Sequence, residues 1–482
     1  MRNRVAFRHP RLFCALLAAL ALLSPLTGAG AQNVLKQGWE DVAAEIRPAI
    51  KKAMLEDTIA GMSIALVDRD GAVWTEGFGF ADLAANTLAD ADTVFEIGSV
   101  SKTFTGIMVM QLAEQGKLDI DRPLTDYIPE FKLGVPARSF AASNRPITVR
   151  DMMNHHSGIP GDLIHGGFTL APNPDFNDCL LDWLAEDNAT YPPGYRWSYS
   201  NTAVSLLADV IEAASGQDFA SWSESFMDSL GMAPASFFKT NPNLRERLSK
   251  PYADGAEIPE VYINIPAAGS IVASANQMTR YLSMLLGKGT IDGIHILSPE
   301  TFEKMLQPQN SANPLDRGLS MGLSFILTDP ALAWAGPLFW HNGATIAFKS
   351  HLEVLPEHGL AVIVIGNSTG ADSAVADIAK STLTLALKSK RGMTKPETQQ
   401  AALPKLITLP ERMLANLAGI YVNDGRGIFE LLSVAEGGLS RKLGQSGSEG
   451  ALKDNGMLYP WSDGLFRASA DDPEADEFFD AI

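Results

Sequence analysis

A serine and a lysine three positions apart, Ser99 and Lys102, are the residues of this sequence best suited to nucleophilic catalysis. A serine hydroxyl is a weak nucleophile until a base removes its proton, and a lysine serves as that base once desolvation lowers its pKa. On a helix, positions i and i+3 share one face, so the two side chains can converge. A helix N-terminus at Ser99 would also offer unpaired N–H groups to a developing negative charge.

The alternative for this pair is an N-capping serine followed by a solvated lysine. An S-x-x-K string arises by chance about once in a chain of this length, so the string alone is weak evidence. However, Ser99–Gln115 is helix-compatible sequence ending at Gly116, and its apolar residues from Ile107 to Leu112 cover most of the circumference. We therefore expect a helix buried on nearly all sides, in which a lysine needs a function.

A second proton carrier is available in Tyr199-Ser200-Asn201. A phenol near a lysine ammonium has a lowered pKa and can pass a proton to a leaving group. The Asn201 amide can hold both the lysine and a substrate carbonyl. Two other strings fit Y-x-N, and we interpret their tyrosines as ordinary strand or loop residues: Tyr262-Ile263-Asn264 and Tyr421-Val422-Asn423.

Histidines followed by glycine two positions later occur three times: His156-Ser157-Gly158, His165-Gly166-Gly167 and His341-Asn342-Gly343. Only the third lies immediately before a predicted strand pair, Thr345–Leu355 and Leu360–Gly366, where an edge strand can line a cleft. The adjacent histidines 155 and 156 would diverge on a regular element, and we interpret them as polar groups of a loop. There is no H-E-x-x-H or C-x-x-C, so we expect neither a metal nor a cofactor.

The elements that would position these residues have a strand–helix–strand arrangement. Strands are predicted near both ends of the main region and mainly helices between them, which indicates an α/β sandwich with a sheet assembled from both ends and a helical lobe. The remaining predicted elements are helices at 37–54, Met278–Leu286 and Ala371–Lys388, strands at Met62–Val67 and Ala72–Phe78, and a possible helix N-cap at Thr148.

The first 31 residues have the three-part pattern of a secretory signal peptide. Four arginines precede an apolar run from Leu12 to Leu23, and Ala29-Gly30-Ala31 supplies small residues for cleavage before Gln32. The apolar run is shorter than the ~20 residues that a bilayer requires. We expect a periplasmic or secreted protein without stable membrane insertion after cleavage.

Composition limits the partners and the domain organisation. Removal of residues 1–31 would take the formal charge from −18 to −22, which disfavours nucleic acid and anionic membranes as partners. Cys179 would be the single mature cysteine, so no internal disulfide can form. We predict a main domain at 32–391, a proline-containing linker at 392–410 and a small β-rich module at 411–482. The oligomeric state is left open.

Several segments together resemble the serine β-lactamase-related family, which includes class C β-lactamases, D,D-carboxypeptidases, D-aminopeptidases and esterases. The resemblance covers roughly residues 37–390, and its segments agree in order. They are Phe95 to Gly106 around the serine, Met153 to Pro160, Pro192-Pro193-Gly194 followed by Tyr199-Ser200-Asn201, Ala268 to Ile271, and His341-Asn342-Gly343 in the place of the family's K-T-G or H-x-G motif.

The resemblance implies a role for each site residue. Ser99 would be the acylated nucleophile, with Lys102 and Tyr199 sharing proton transfer, and Asn201 would position substrate and lysine. His341 and Gly343 belong to the third motif, where His341 would line the pocket and contact the substrate or polarise Tyr199. The backbone N–H groups of Ser99 and Ala344 would form the oxyanion hole.

These expectations lead to an exported serine hydrolase that cleaves an amide or ester of a small molecule or peptide. The histidine of the third motif is neutral at ordinary pH, so it attracts a β-lactam carboxylate less than a charged lysine does. This favours D-amino-acid peptides and small esters. The alternatives are a β-lactamase and a penicillin-binding or sensor protein without turnover.

Overall fold

The computed structural model describes residues 33–136, 145–161, 166–173, 175–310, 313–316, 318–396, 407–423, 428–445, 452–462, 465–467 and 479–480. The predicted signal peptide therefore lies outside the described residues, as does His165. Contacts divide the chain into two compact units, one ending at Lys395 and the other beginning at Pro396. No helix in the described ranges is both long and apolar enough to span a membrane.

The strands of the first unit are β1 (Val34–Leu35), β2 (Gly61–Asp68), β3 (Gly71–Asp82), β4 (Thr87–Leu88), β5 (Val94–Glu96), β6 (Phe168–Thr169), β7 (Tyr252–Ala253), β8 (Ala256–Glu257), β9 (Tyr262–Ile263), β10 (Val272–Ser274), β11 (Thr290–Ile291), β12 (Ile294–His295), β13 (Phe339–Ala344), β14 (Lys349–Leu355) and β15 (Leu360–Gly366). The second unit contains β16 (Gly419–Asn423), β17 (Ile428–Ala435), β18 (Gly438–Gln445), β19 (Lys453–Ser462), β20 (Leu465–Arg467) and β21 (Phe479–Asp480).

The helices of the first unit are α1 (Glu40–Glu56), α2 (Ser101–Glu114), α3 (Val149–Met153), α4 (Phe176–Ala185), α5 (Asn201–Ser205), α6 (Leu207–Ser215), α7 (Phe219–Leu230), α8 (Pro242–Arg245), α9 (Pro266–Gly269), α10 (Ala275–Leu286), α11 (Pro299–Met305) and α12 (Asp372–Arg391). Helix α13 (Glu411–Leu417) belongs to the second unit. Thr148 caps α3 in a reciprocal capping box with Asp151, as its residue type predicts.

The main sheet joins the two ends of the first unit, which confirms the predicted α/β fold. Its order is β1-β3-β2-β15-β14-β13, with β4 paired to β3, and neighbouring strands are antiparallel. Strand β15 alternates between two cores, because Val362 and Val364 pack with α1 and α12 while Ile363 and Ile365 pack with the helical lobe. This period of two explains why the strand is apolar along its whole length.

The predicted strand Thr345–Leu355 is wrong in its first part. The chain forms β13 up to Ala344, turns, and returns as β14 from Lys349. The turn is closed by the Thr345 N–H, which donates to the Phe348 carbonyl at 2.9 Å, and by the Phe348 N–H, which donates to Thr345 Oγ1 at 3.2 Å. His341 consequently lies inside the edge strand of the sheet rather than before a strand.

The second unit is an antiparallel sheet in the order β16 to β21. Its small core contains leucines of α13 and three strands: Leu414, Leu432, Leu439 and Leu458, with Leu409 preceding the helix. The β-rich character expected of residues 411–482 is therefore found in the ranges that the structure describes. The predicted linker at 392–410 falls largely outside them.

Candidate active site

Ser99 and Lys102 meet at the start of the buried helix α2. A 3₁₀ turn, Gly98–Val100, leads directly into the helix, and Lys102 Nζ lies 3.0 Å from Ser99 Oγ. Ser99 is partly exposed, whereas nearly every residue of the next three turns is buried. The expected convergence of positions i and i+3 is therefore realised, with the hydroxyl at the surface and the amine beneath it.

The amine of Lys102 is enclosed by oxygen atoms that carry no formal charge. The side chain is 1% exposed, and Nζ also lies 2.7 Å from Asn201 Oδ1 and 2.7 Å from the Ala268 carbonyl oxygen. Burial lowers the pKa of Lys102 well below its ordinary value of 10.5. Because these partners stabilise an ammonium less than a carboxylate would, the site favours the neutral amine, which is the basic form.

Tyr199 and Asn201 approach the lysine from one short segment. Ser200 is the N-cap of α5 and its side chain accepts from the Ala203 N–H at 2.9 Å, which places Asn201 at the first position of that helix. The Tyr199 ring faces the lysine, with Nζ 4.9 Å from the ring centroid. Both side chains are partly exposed, so they border the same opening as Ser99.

The edge strand β13 lies against the turn that carries the serine. Gly98 has φ +53°, and a Cβ there would come within 2.6 Å of the Ala344 nitrogen. A Cβ at Gly343 would meet the Ile97 carbonyl oxygen at 1.9 Å. Only glycine allows both approaches, and together they bring the backbone of Ala344 beside the backbone of Ser99.

His341 projects from β13 into the interior and lies near Tyr199. It is buried, and the two ring centroids are 6.3 Å apart. Its Nδ1 lies 2.5 Å from the Asn342 carbonyl oxygen, which can only accept, so Nδ1 carries the proton and Nε2 is an acceptor. Burial lowers the pKa of His341 to about 3.

Three further contacts hold these elements together, and the sequence motifs did not single them out. Helix α9 supplies the Ala268 carbonyl to Lys102, and Thr105 Oγ1 donates to the neighbouring Ala267 carbonyl at 2.7 Å. The Ile97 carbonyl accepts from Ser350 Oγ at 2.8 Å. Backbone carbonyls leave no residue-type pattern in a sequence; the only available indication was the resemblance of Ala268 to Ile271 to a family segment.

The histidines 155 and 156 lie in a loop as expected, and both are buried. His156 Nε2 lies 2.7 Å from Asp316 Oδ2, and the His155 ring packs on the Tyr199 ring with centroids 4.3 Å apart. Burial is compatible with such polar groups because each finds a partner. The interpretation of both as polar groups of a loop is therefore confirmed, and the structure adds that this loop is buried.

The other candidate strings do not contribute to this cluster. Tyr262 lies in β9 and Tyr421 in β16, as ordinary strand residues. A cavity of about 620 Å³ is lined by residues of α4, α6 and β9, Tyr262 among them, and by none of the residues that surround Ser99 and Lys102. In the described part of the chain, no group of three or more His, Cys, Asp or Glu residues is arranged to hold a metal ion.

Comparisons with known proteins identify similar sequences and folds. Protein flp of Staphylococcus aureus (strain NCTC 8325 / PS 47) is 23% identical over 346 residues, which are 68% of this chain and 63% of flp. The chain thus spans less than two thirds of that relative's length. Penicillin-binding protein 4 of Amycolatopsis lactamdurans is 28% identical over 388 residues, covering 77% of this chain and 95% of that protein.

A solved structure has a similar fold. The crystal structure of SurE with D-Leu matches with a TM-score of 0.66 at 23% identity, covering 90% of this chain and 93% of SurE. The sequence profile of the family described as Beta-lactamase matches residues 36–385, which contain every candidate site residue. The chain therefore belongs to the Beta-lactamase family of serine hydrolases.

Proposed function

We propose that this protein is an exported acyl-serine hydrolase that cleaves an amide or ester through a covalent intermediate on Ser99. The observation that carries the proposal is the buried Lys102 amine, 3.0 Å from the Ser99 hydroxyl and surrounded by uncharged oxygen atoms. A lysine in such a place is costly to bury without a use, and a lowered pKa makes it an effective base near neutral pH.

In the acylation step, the neutral Lys102 amine takes the Ser99 proton while Ser99 Oγ bonds to the substrate carbonyl carbon. The backbone N–H groups of Ser99 and Ala344 stabilise the oxyanion that develops. The bond to the leaving group then breaks as the Tyr199 hydroxyl protonates it, and the Lys102 ammonium returns a proton to Tyr199. Asn201 holds Lys102 and presents its amide to the substrate.

In the deacylation step, water attacks the acyl carbon and restores the free enzyme. A base of the Lys102–Tyr199 pair accepts the water proton, and Ser99 Oγ leaves with a proton from the same pair, so no net proton is gained or lost by the protein. His341 remains neutral above about pH 4 and offers Nε2 as an acceptor toward Tyr199 or a substrate N–H.

The neutral His341 also bears on the substrate. A β-lactam carboxylate gains from a fixed positive charge in the third motif, and a histidine with a pKa of about 3 carries none at neutral pH. This favours D-amino-acid peptides and small esters over β-lactams. The structural neighbour solved with D-Leu supports a D-amino-acid substrate, whereas the name of penicillin-binding protein 4 refers to a β-lactam, which keeps β-lactams in the substrate panel.

A substrate panel tests the proposal. The mature protein is assayed with D- and L-aminoacyl p-nitroanilides, a p-nitrophenyl ester and a chromogenic cephalosporin. We expect turnover of the D-anilide or the ester, loss of that turnover in Ser99→Ala, and full retention in Ser225→Ala, which changes an exposed helix serine. Dominant cephalosporin hydrolysis would identify a β-lactamase instead. Stoichiometric acylation without turnover would identify a penicillin-binding or sensor protein.

Export is part of the same proposal and has its own test. The full-length chain is expressed in a Gram-negative host, and the N-terminus of the periplasmic fraction is sequenced. We expect a chain that begins at Gln32. An uncleaved chain in the cytoplasmic fraction would contradict export without bearing on the chemistry.

A further inference from the structure

The loop after α3 places a histidine in an uncommon backbone conformation. His155 has φ +61° although it is not glycine, and it is 1% exposed. Only a few per cent of non-glycine residues adopt this left-handed region, histidine more often than most, and the conformation costs on the order of 1 kcal/mol or more. Such a conformation persists only where the surrounding contacts stabilise it, and His155 makes its hydrogen bonds and a ring contact to the segment around Tyr199.

His155 makes hydrogen bonds to the residues immediately before and after Tyr199. The Ser198 N–H donates to the His155 carbonyl at 2.8 Å, and the Ser200 N–H donates to His155 Nδ1 at 3.2 Å. Between these two bonds, the Tyr199 ring packs on the imidazole with centroids 4.3 Å apart and an angle of 34° between the planes. One residue therefore contacts the backbone before Tyr199, the backbone after it and its ring.

The accepting role of Nδ1 also defines the state of the imidazole. An Nδ1 that accepts leaves the proton of the neutral ring on Nε2. Burial of the ring lowers the pKa of His155 well below its ordinary value of 6.5. The bond to the Ser200 N–H is thus present over the whole pH range in which a serine hydrolase works.

A neighbouring contact extends the same support by one residue. Asp316 Oδ1 accepts from the Trp197 N–H at 2.6 Å, while its Oδ2 lies 2.7 Å from His156 Nε2. The backbone on both sides of Tyr199 is thus held by the two adjacent histidines, one directly and one through Asp316. The Trp197–Asn201 segment is irregular until α5 begins, so these bonds replace the hydrogen bonds that a helix or sheet would supply.

From this geometry we infer that His155 is a positioning residue, which holds the Tyr199 hydroxyl where it protonates the leaving group. The inference rests on the proposed function of Tyr199. A displacement of the phenol by about 1 Å would slow steps that need its proton and spare steps that do not. His155 itself touches neither the serine nor the lysine in this account; it acts through Tyr199.

Two esters of one acyl group separate positioning from general structural damage. A p-nitrophenolate leaves without protonation, whereas an ethoxide must be protonated as it departs. The quantity compared is the ratio of kcat/KM for the two esters, because a misfolded fraction lowers both values equally and leaves the ratio unchanged. Tyr199→Phe sets the ratio expected when the proton donor is absent.

The variants at position 155 separate the effect of losing the Nδ1 acceptor from the effect of disturbing the left-handed backbone conformation. His155→Gly tolerates positive φ but lacks the acceptor and the ring, and His155→Leu fills the space without an acceptor. His155→Asn tolerates positive φ and places Oδ1 near the position of Nδ1. We expect the Gly and Leu variants to lose about tenfold or more on the ethyl ester and less than about threefold on the nitrophenyl ester, with the Asn variant restoring most of the ethyl-ester activity.

The outcomes distinguish this inference from the function on which it rests. If Tyr199→Phe changes the ester ratio and the folded Gly or Leu variant keeps the wild-type ratio, only the positioning role of His155 is overturned. If Tyr199→Phe itself keeps the wild-type ratio, the proton-donor role of Tyr199 is wrong and the inference falls with it. Should one of the two variants fail to fold, the other carries the comparison.

Discussion

The sequence contains a second S-x-x-K string, Ser236-Phe237-Phe238-Lys239, and its fate differs from that of Ser99 to Lys102. Ser99 and Lys102 lie where a 3₁₀ turn passes into an α-helix, and their polar atoms are 3.0 Å apart. Ser236 lies in irregular chain after α7, and its hydroxyl accepts from the Phe238 N–H at 3.0 Å. Spacing of three brings side chains together only on a helix.

The two lysines are both buried, but the partners of Lys239 are charged and those of Lys102 are uncharged. Lys239 is 6% exposed and lies 2.8 Å from Glu96 Oε1 and 3.4 Å from Glu260 Oε1. Among the described residues, the hydrogen-bond partners of Lys102 are all uncharged oxygens. Carboxylates compensate the Lys239 ammonium, so that pair resembles a structural ion pair. Burial alone therefore does not identify a catalytic lysine; the absence of a carboxylate among the Lys102 contacts does.

The largest effect on activity is expected for Lys102→Met. The variant keeps the volume of the side chain but removes the base, so kcat/KM should fall by about a thousandfold or more. Since a buried amine without a countercharge is also removed, the melting temperature should stay constant or rise. Steady-state kinetics and thermal unfolding check both results. Activity within tenfold of wild type would show that Lys102 is not the base.

The matched change in the other string, Lys239→Met, should affect stability instead. It leaves the buried Glu96 carboxylate without its cation, which costs about 3–5 kcal/mol of the free energy of unfolding. Activity per folded molecule should be retained, and Lys239→Met combined with Glu96→Gln should recover most of the stability. Denaturant unfolding and active-site titration measure these quantities. A selective loss of kcat in the folded single variant would remove the distinction between the two lysines.

The pH profile of kcat/KM should reflect the titration of Lys102 and not that of Lys239. Lys102 must be neutral to act, so activity rises with pH as it loses its proton, by about tenfold per pH unit below its pKa. Because burial lowers that pKa, the plateau should be reached well below pH 10. His341, with a pKa of about 3, adds no step between pH 5 and 9. A rate still rising above pH 10 would indicate a solvated lysine.

The smallest effect concerns a partly buried carboxylate away from both strings. Asp209 lines the cavity of about 620 Å³, and burial, with the nearby Glu212, raises its pKa from 3.8 to about 7. The folded state therefore binds its proton more tightly than the unfolded state, and stability falls as pH rises from about 4 to 7. Asp209→Asn should raise the melting temperature at pH 8 by about 2–6 °C and leave it unchanged at pH 4.

The control for that measurement is Asp182→Asn, which changes another exposed carboxylate of α4. Its effect on the melting temperature should be small at both pH values. An equal stabilisation by the two substitutions at pH 8 would mean that the net negative charge of the protein, not the burial of Asp209, is responsible.

Local features of the site could be predicted from the sequence because they depend on neighbouring residues. The i, i+3 geometry of Ser99 and Lys102 follows from one helix. The apolar runs in the sequence indicate the strands of the sheet beside that helix. The choice of Tyr199 among three Y-x-N strings came from family resemblance. Nothing in the residue types favoured Tyr199 over Tyr262.

Long-range features escaped prediction for physical reasons. The Ala268 carbonyl and the His155 contacts are made by backbone atoms or by positions far apart in the chain, and neither leaves a periodic pattern. The hairpin at 345–348 was missed because Thr345, Ile346 and Phe348 are residue types common in strands. Its turn is stabilised by a threonine side chain and contains no glycine or proline to mark it.

The most direct test of the account is to locate the acyl group. The wild type, Ser99→Ala and Lys239→Met are mixed with the best ester of the panel or with a penicillin, quenched in acid within seconds, and analysed by intact mass and peptide mapping. We predict one acyl group on the Ser99 peptide in the wild type and in Lys239→Met, and none in Ser99→Ala. An adduct of equal yield in Ser99→Ala, or one mapped to the Ser236 peptide, would contradict the assignment of Ser99 as the nucleophile.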